Sequence, residues 1–371
     1  MLELAASVTE LARPDDYILF INQEDRERVE ARLSASARSR VRMVAACRRP
    51  RPARLLFQQA FLPCAIQTMG IDVLHSPAFL MPMIQAGAGH VLTIHDMTSF
   101  LLPQHHPWFR RGGLYEAVLR RSIRRADIVS VPSQSVRDDI LRLVPRVQAD
   151  RVRVIRCGIA ETFKRYPDGQ VAAVLQRLGI EWPFLLYVGT LDPRKNTPLL
   201  IQTYARLAAK GGMKEHLVLA GQQGWSMAEF DESMRSCAVR DRVHVLGYVA
   251  EEDLPFLYAG ARLFVYPTLS EGFGFPPLEA MACGTPVITS DSSSLRENLS
   301  GAAELVRTGD SDALLAAIER MLTDEAWRKQ HISAGLERSG RFRWRAFAED
   351  TADCYREIWR GGVNKMRMPR L

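Results

Sequence analysis

Short apolar runs alternate with helical patterns along this chain, and the alternation comes in two series separated by a polar break. In the first half the strand signals are YILFI (17–21), VRMVA (41–45), DVLHS (72–76), HVLTIHD (90–96), DIVSVPS (127–133) and VRVIR (152–156). Helical spacing falls between most of them, at 53–68, 109–125 and 134–143. After a polar stretch around 160–182 the rhythm restarts with PFLLYVGT (183–190), HLVLAG (216–221), VHVLGYV (243–249), RLFVYPT (262–268) and TPVITSD (285–291). Helices are expected between these at 197–210, 226–238, 251–260 and 277–283, and the last hundred residues turn helical at 310–323, 325–338 and 344–360. Strands that recur after helices form parallel sheets of βαβ units, and two such series predict two Rossmann-like domains.

The 371 residues fit two domains, and no apolar run is long enough to span a membrane. The opening MLELAASVTELARPDDYILF lacks the basic and apolar regions of a signal peptide. Six cysteines without metal-ligand or CxxC spacing read as reduced, mostly buried thiols, which predicts a cytoplasmic protein. Charge is unevenly spread: residues 1–165 hold 25 Lys/Arg against 16 Asp/Glu, the remainder 24 against 26. The arginines crowd into 38–54, 109–111 and 119–125. Such a half suits an anionic membrane surface or a phosphorylated acceptor, and equally a solvated surface. No aromatic interleaving or zinc-finger spacing accompanies it, so nucleic acid is not expected as a partner.

In open α/β sheets ligands bind beyond the carboxyl ends of the strands, and the unusual residues fall there. Gly189-Thr190, Gly221, Gly247-Tyr248 and Ser270-Glu271-Gly272 each follow a strand, as does His95-Asp96 in the first half. Gly189 permits close backbone approach. Arg194 and Lys195 then stand at the mouth of a helix and suit a diphosphate, although an Arg-Lys pair alone is usually just solvated. Glu271 and Glu279 flank a turn in which Gly272 and Gly274 expose amides ahead of a helix started by Pro277. Two such carboxylates can hold the hydroxyls of two polyols, a sugar and a ribose, on either side of a phosphate. Taken singly, Glu279 serves as a helix-dipole partner and Glu271 as a cap neighbour.

EGFGFPPLEAMACGTPVITSD (271–291) resembles the Glu-x7-Glu signature of retaining GT-B-fold glycosyltransferases, specifically family GT4. The resemblance extends through YVGTLDPRKN, LVLAGQQGW, the 243–280 segment and IHDMTSF onward, covering residues 17 to 360, with a bacterial mannosyltransferase-like branch the nearest in appearance. It implies an α/β GT-B architecture in which two domains face each other across a cleft. Residues 1–165, with a C-terminal helix near 344–360 crossing back, would bind the acceptor, and 166–343 the nucleotide-sugar donor. The implied activity is transfer of a hexose, mannose favoured, from a nucleotide-diphosphate sugar such as GDP-mannose to a polyprenyl-diphosphate-linked or other glycan in surface polysaccharide synthesis. The family works without a metal or other cofactor.

By position, the resemblance implies that Glu271 holds donor-sugar hydroxyls and Glu279 the ribose, while Arg194 and Lys195 neutralise the leaving diphosphate. Gly189, Thr190, Gly221 and the backbone of Gly272, Phe273, Gly274, Phe275 and Leu278 would line the donor. Tyr248 and Val249 would present backbone to the base. His95 would face the reacting sugar, and Asp96, His105 and His106 would lie on the acceptor side. Two departures stand out. Relatives open with a β-strand and glycine-rich loop, whereas this chain starts in what reads as the following helix, so a missing first strand is expected. In SLRENLS (294–300) Arg296 replaces a proline, in what is expected to be a peripheral loop of little consequence. A non-catalytic GT-B scaffold and a sugar-nucleotide epimerase on the same fold are the rival readings.

Overall fold

A computed structural model describes residues 2–11, 16–46, 56–106 and 113–367 of the chain. The arginines at 48–54 and 109–111 therefore lie outside the described residues, as does Cys47. Twelve described strands, all paired in parallel, fall into two compact units. One unit comprises 1–100, 106–158 and 343–371, and the other 101–105 and 159–342.

In the first unit, β1 (Tyr17–Asn22) pairs with β2 (Val41–Ala46). A separate sheet has the order β3 (Val73–Ser76), β4 (Gly89–Thr93), β5 (Ile128–Val131), β6 (Val152–Val154). The second of these sheets is the better buried. All four residues of β5, Ile-Val-Ser-Val, are buried, as a strand covered on both faces requires. The helix Leu2–Glu10 stands where a helix rather than a strand was expected. The long last helix, Trp344–Arg367, packs on Leu2–Glu10 and on β4 and β3. Its seat is built from missing side chains. A Cβ on Gly89 would lie 2.0 Å from Ile358 Cγ2, and one on Gly158 would lie 2.1 Å from the backbone N of Trp344. The chain thus re-enters the first unit beside the point where it leaves.

That point is Gly158–Ile159, seven residues before the expected boundary at 165. Residues 159–166 belong to the second unit because their aromatics pack there, Phe163 against Tyr258 and Tyr166 against Phe256. The helix Asp168–Arg177 was also not anticipated from the polar stretch containing it. Val171 and Leu175 form its inner face and press on Gly260, where a Cβ would come within 2.6 Å of Leu175.

The second unit is one six-stranded sheet: β7 (Phe184–Val188), β8 (His216–Ala220), β9 (Val243–Gly247), β10 (Leu263–Tyr266), β11 (Val287–Ser290) and β12 (Glu304–Val306). Its order is β12-β11-β10-β7-β8-β9. The chain runs from β7 outward to β9, then returns to β10 on the other side of β7. The order reverses between β7 and β10, which makes their carboxyl ends the crevice where such sheets take ligands. The core behind it is aromatic. Phe184, Tyr187, Tyr204, Tyr258, Phe264 and Tyr266 are all almost fully buried, each contributing about 1.5–3 kcal/mol by removal from water. All of SLRENLS but its last residue lies in a helix, Ser293–Leu299, and not in a loop. Arginine continues a helix where proline would interrupt its bonding, and its guanidinium bonds both oxygens of Asp291 at 2.5 and 2.8 Å.

Candidate functional site

Both cations and both glutamates follow the two strands at the switch point. After β7, Asp192 accepts the amide of Arg194 at 3.0 Å and so caps the tight turn Pro193–Lys195. Asn196, at φ 55°, then redirects the chain into the helix Thr197–Ala209. This turn places Arg194 and Lys195 side by side beneath the end of β10. After β10, the segment 267–274 leads to Gly274, whose φ of 93° starts the helix Phe275–Ala282 with Pro276 and Pro277 in its first turn.

Glu271 is where these pieces meet. Its carboxylate is bonded to Lys195 Nζ and lies 3.7 Å from Arg194. It also accepts from Tyr266 at 3.0 Å and Thr268 at 3.1 Å. Side-chain exposures are only 14%, 10% and 13% for Arg194, Lys195 and Glu271, so their charges interact with little screening by water. Arg194 also sits 3.7 Å from Asp192. The backbone of Glu271 is pinned by two serines: Ser293 accepts its amide at 3.1 Å, and Ser293 and Ser294 each donate to its carbonyl at 2.9 Å. A buried charged cluster of this kind is held together by its own partners, and removing one of them leaves an uncompensated charge.

Glu279 stands apart from the cations. Tyr258 donates to it at 3.0 Å, and burial raises its pKa to about 7, the tyrosine bond partly opposing the rise. Its carboxylate is therefore poised to change charge near neutrality.

The first two glycines close the ends of their strands. The amide of Gly189 donates to Ala220 O at 2.9 Å and that of Gly221 to Gly247 O at 2.7 Å, so these two stitch the strand ends together. Gly221 must lack a side chain because a Cβ would lie 2.0 Å from the carbonyl of Gly189. Thr190 is exposed, and its carbonyl accepts from Tyr187 at 3.2 Å. Tyr248 is 63% exposed beyond β9 and Val249 half-buried. The side chain of Phe273 is in the core against Phe275 and Phe342, and its carbonyl accepts from Asn298 at 2.8 Å. Gly272 is buried in the same turn. The amide of Leu278 is bonded within its helix to Gly274 at 3.4 Å.

In the first unit, His95 Nε2 donates to the Pro77 carbonyl at 2.8 Å, and its ring meets Phe79 edge-on at 5.8 Å. Burial lowers its pKa, so the ring is neutral and Nδ1 keeps a lone pair. Asp96 has a structural task, accepting the amide and hydroxyl of Thr98 at 2.9 and 2.5 Å at the start of a short helix. His105 belongs to the 101–105 segment of the second unit, where its carbonyl accepts from the Trp225 indole at 2.6 Å, while His106, next in sequence, is half-buried in the first unit. Tyr266, Tyr258, Thr268, Ser293, Ser294 and Asp192 were not picked out from the sequence. Asp192, Tyr266 and Thr268 are close in sequence to the residues they hold, whereas Tyr258, Ser293 and Ser294 lie 21 to 23 positions away and carried no signal.

Two family models match the chain: "Glycosyltransferase Family 4" over residues 8–163 and "Glycosyl transferases group 1" over 177–338. The chain is 34% identical to O-antigen chain mannosyltransferase B of Escherichia coli, over 76% of its own length and 74% of that protein's. It is 30% identical to serotype-specific mannosyltransferase WbdA of E. coli over 68% of its own length, spanning about a third, 32%, of that longer relative. Among solved structures, Anabaena HepE in complex with UDP-glucose superposes with a TM-score of 0.73 at 19% identity, covering 96% of each chain. WaaG, a glycosyltransferase of lipopolysaccharide biosynthesis, gives 0.70 at 16% identity over 92% of this chain and 99% of that one.

Proposed function

This chain belongs to glycosyltransferase family 4, on its mannosyltransferase-like branch and with the GT-B fold, and from that premise we propose that it transfers a mannosyl residue from GDP-mannose, with retention and without a metal, to a lipid-linked glycan. The observation that carries the reading is the cluster at the switch point, where Arg194 and Lys195 converge on Glu271 at the joined ends of β7 and β10.

As the bond from the anomeric carbon to the diphosphate breaks, positive charge grows on the sugar ring and negative charge on the leaving oxygens. Arg194 and Lys195 are already desolvated and in position to receive the second, which is where fixed charge lowers a barrier most. The diphosphate displaces Glu271 from them. Glu271 is then left to accept from sugar hydroxyls, as Glu279 accepts from the ribose. Amides of the 272–275 turn add donors toward the anion, and the backbone of Tyr248 and Val249 meets the base. The departing phosphate can itself take the acceptor's proton, so no separate base is required. Neutral His95, with Nδ1 as acceptor, suits a sugar hydroxyl, while His105 and His106 serve the acceptor side.

For the acceptor, a polyprenyl-diphosphate-linked glycan fits a basic first unit that rests on an anionic membrane surface. In the helix Leu114–Arg125, Leu114 is 78% exposed and Arg121, Arg124 and Arg125 are exposed beyond it. Ile84, 62% exposed, is next to Gln85, which bonds the carbonyl of Arg125. No helix among the described residues is long and apolar enough to cross a membrane.

The test is incubation with GDP-mannose, UDP-glucose and UDP-galactose, a lipid-linked acceptor and EDTA. Mannosyl transfer from GDP-mannose giving the retained anomer is expected. Transfer only from a uridine donor, an inverted product, or dependence on added Mg²⁺ would each overturn the corresponding part.

A further inference from the structure

Each glutamate of the site shares its carboxylate with one buried tyrosine, Glu279 with Tyr258 and Glu271 with Tyr266. The second tyrosine touches the cation as well. Its hydroxyl lies 2.7 Å from Lys195 Nζ and 3.0 Å from Glu271 Oε1. An ammonium only donates and a carboxylate only accepts, so the hydroxyl accepts from the lysine and donates to the glutamate. Only a neutral phenol does both at once. Burial, reinforced by the neighbouring Glu271 charge, pushes the Tyr266 pKa well above its usual value, and the proton stays on.

The phenol is also the best-anchored group of the three. Tyr266 ends β10, is fully buried and stacks on Tyr187 and Phe264, with ring centroids 5.7 and 5.8 Å away. Thr289 holds its carbonyl at 2.8 Å. Lys195, by contrast, hangs on four rotatable bonds from a tight turn, and Glu271 sits in an irregular segment. Of the three ammonium protons, one goes to Tyr266 and one to Glu271, leaving a third for a phosphate. When Glu271 turns to a sugar, the tyrosine contact is what keeps the ammonium from following it.

We infer that Tyr266 is a positioning residue, its hydroxyl aiming Lys195 at the diphosphate and Glu271 at the donor sugar together. The inference rests on the nucleotide-sugar reading of the second unit. Tyr266→Phe removes the hydroxyl and keeps the ring stack. Tyr204→Phe is the matched control: Tyr204 is equally buried in the same unit, but its hydroxyl bonds the carbonyl of Glu215 at 3.0 Å.

The experiment titrates both variants and the wild type with GDP and GMP, and measures kcat, donor KM and Tm. Because Lys195 would sense the second phosphate, the preference for GDP over GMP should fall several-fold in Tyr266→Phe. Its kcat should drop about ten- to a hundredfold, the scale of a catalytic group misplaced by about 1 Å. Donor KM should move less than kcat, and Tyr204→Phe should keep both the preference and kcat. A GDP preference and kcat retained in Tyr266→Phe would overturn the inference alone. A wild type that does not distinguish GDP from GMP would overturn the nucleotide-sugar reading, and the inference with it. Equal losses in the two variants would mark a structural effect and also sink the inference.

Discussion

The two units are built from the same parallel βα repeat, yet they use their buried polar groups in opposite ways. In the first, the polar side chains nearest the strands are consumed by the fold. His75 bonds Tyr355 at 2.6 Å and Thr93 at 2.7 Å, and burial lowers its pKa to about 3; Asp96 caps a helix. In the second, Arg194, Lys195 and Glu271 bond chiefly to one another, in a cluster whose members could each be claimed by a ligand. The polar groups of the first unit named here have neutral partners, whereas the cluster of the second pairs opposite charges and shares them with Tyr266 and Thr268, and the difference can be broken by mutation.

The largest effects should come from that cluster. Lys195→Ala is expected to lower kcat by about 10²–10³, as loss of one preorganised donor to a developing anion does. The fold should survive because Arg194 still faces Glu271, and circular dichroism and Tm would check that. Glu271→Ala should be as damaging to transfer and more so to Tm, since it leaves two neighbouring cations without their shared partner.

Next comes a contrast inside the first unit. His95→Ala should reduce kcat about tenfold or more while leaving GDP affinity unchanged. Asp96→Ala should instead cost about 1 kcal/mol of stability through loss of the cap, visible in denaturant melts. Similar profiles for the two variants would show that His95 is another structural polar group and remove it from the mechanism.

Glu279 gives a pH prediction. A carboxyl whose folded pKa is raised from 4.5 to about 7 favours folding fully below 4.5, and that contribution is lost as pH rises through 7. Tm of the ligand-free protein should thus fall between pH 5 and 8. Nucleotide affinity should rise over the same interval, because the ionised carboxylate is the better acceptor for ribose hydroxyls. Glu279→Gln should flatten both trends and weaken nucleotide binding about tenfold, the loss of one charged hydrogen bond. The smallest effect is expected at Arg296→Ala. That exposed arginine holds Asp291 on the surface of the Ser293–Leu299 helix, and neither transfer nor Tm should change measurably.

Much of this was legible in the sequence for a local reason. The strands of the second unit are apolar runs such as LFVY, and Arg194, Lys195 and Glu271 lie within seven positions of the ends of β7 and β10, so period located the strands and motif the cluster beyond them. What escaped depended on distant partners. The helix Asp168–Arg177 shows a weak apolar face that makes sense only against Gly260, and the steric need for glycine at 221 comes from the carbonyl of Gly189. Tyr266 looked like one more core aromatic in a strand. Its hydroxyl gains meaning only when the 193–195 turn and the 267–274 segment fold over it.

The measurement that tests the central claim most directly is thermal denaturation with GDP, UDP, dTDP and ADP, each with and without EDTA. The account predicts that GDP alone raises Tm by several degrees, equally in EDTA, and that Lys195→Ala loses most of the rise. A wild type whose Tm no nucleotide shifts, or that responds only when Mg²⁺ is present, would contradict it.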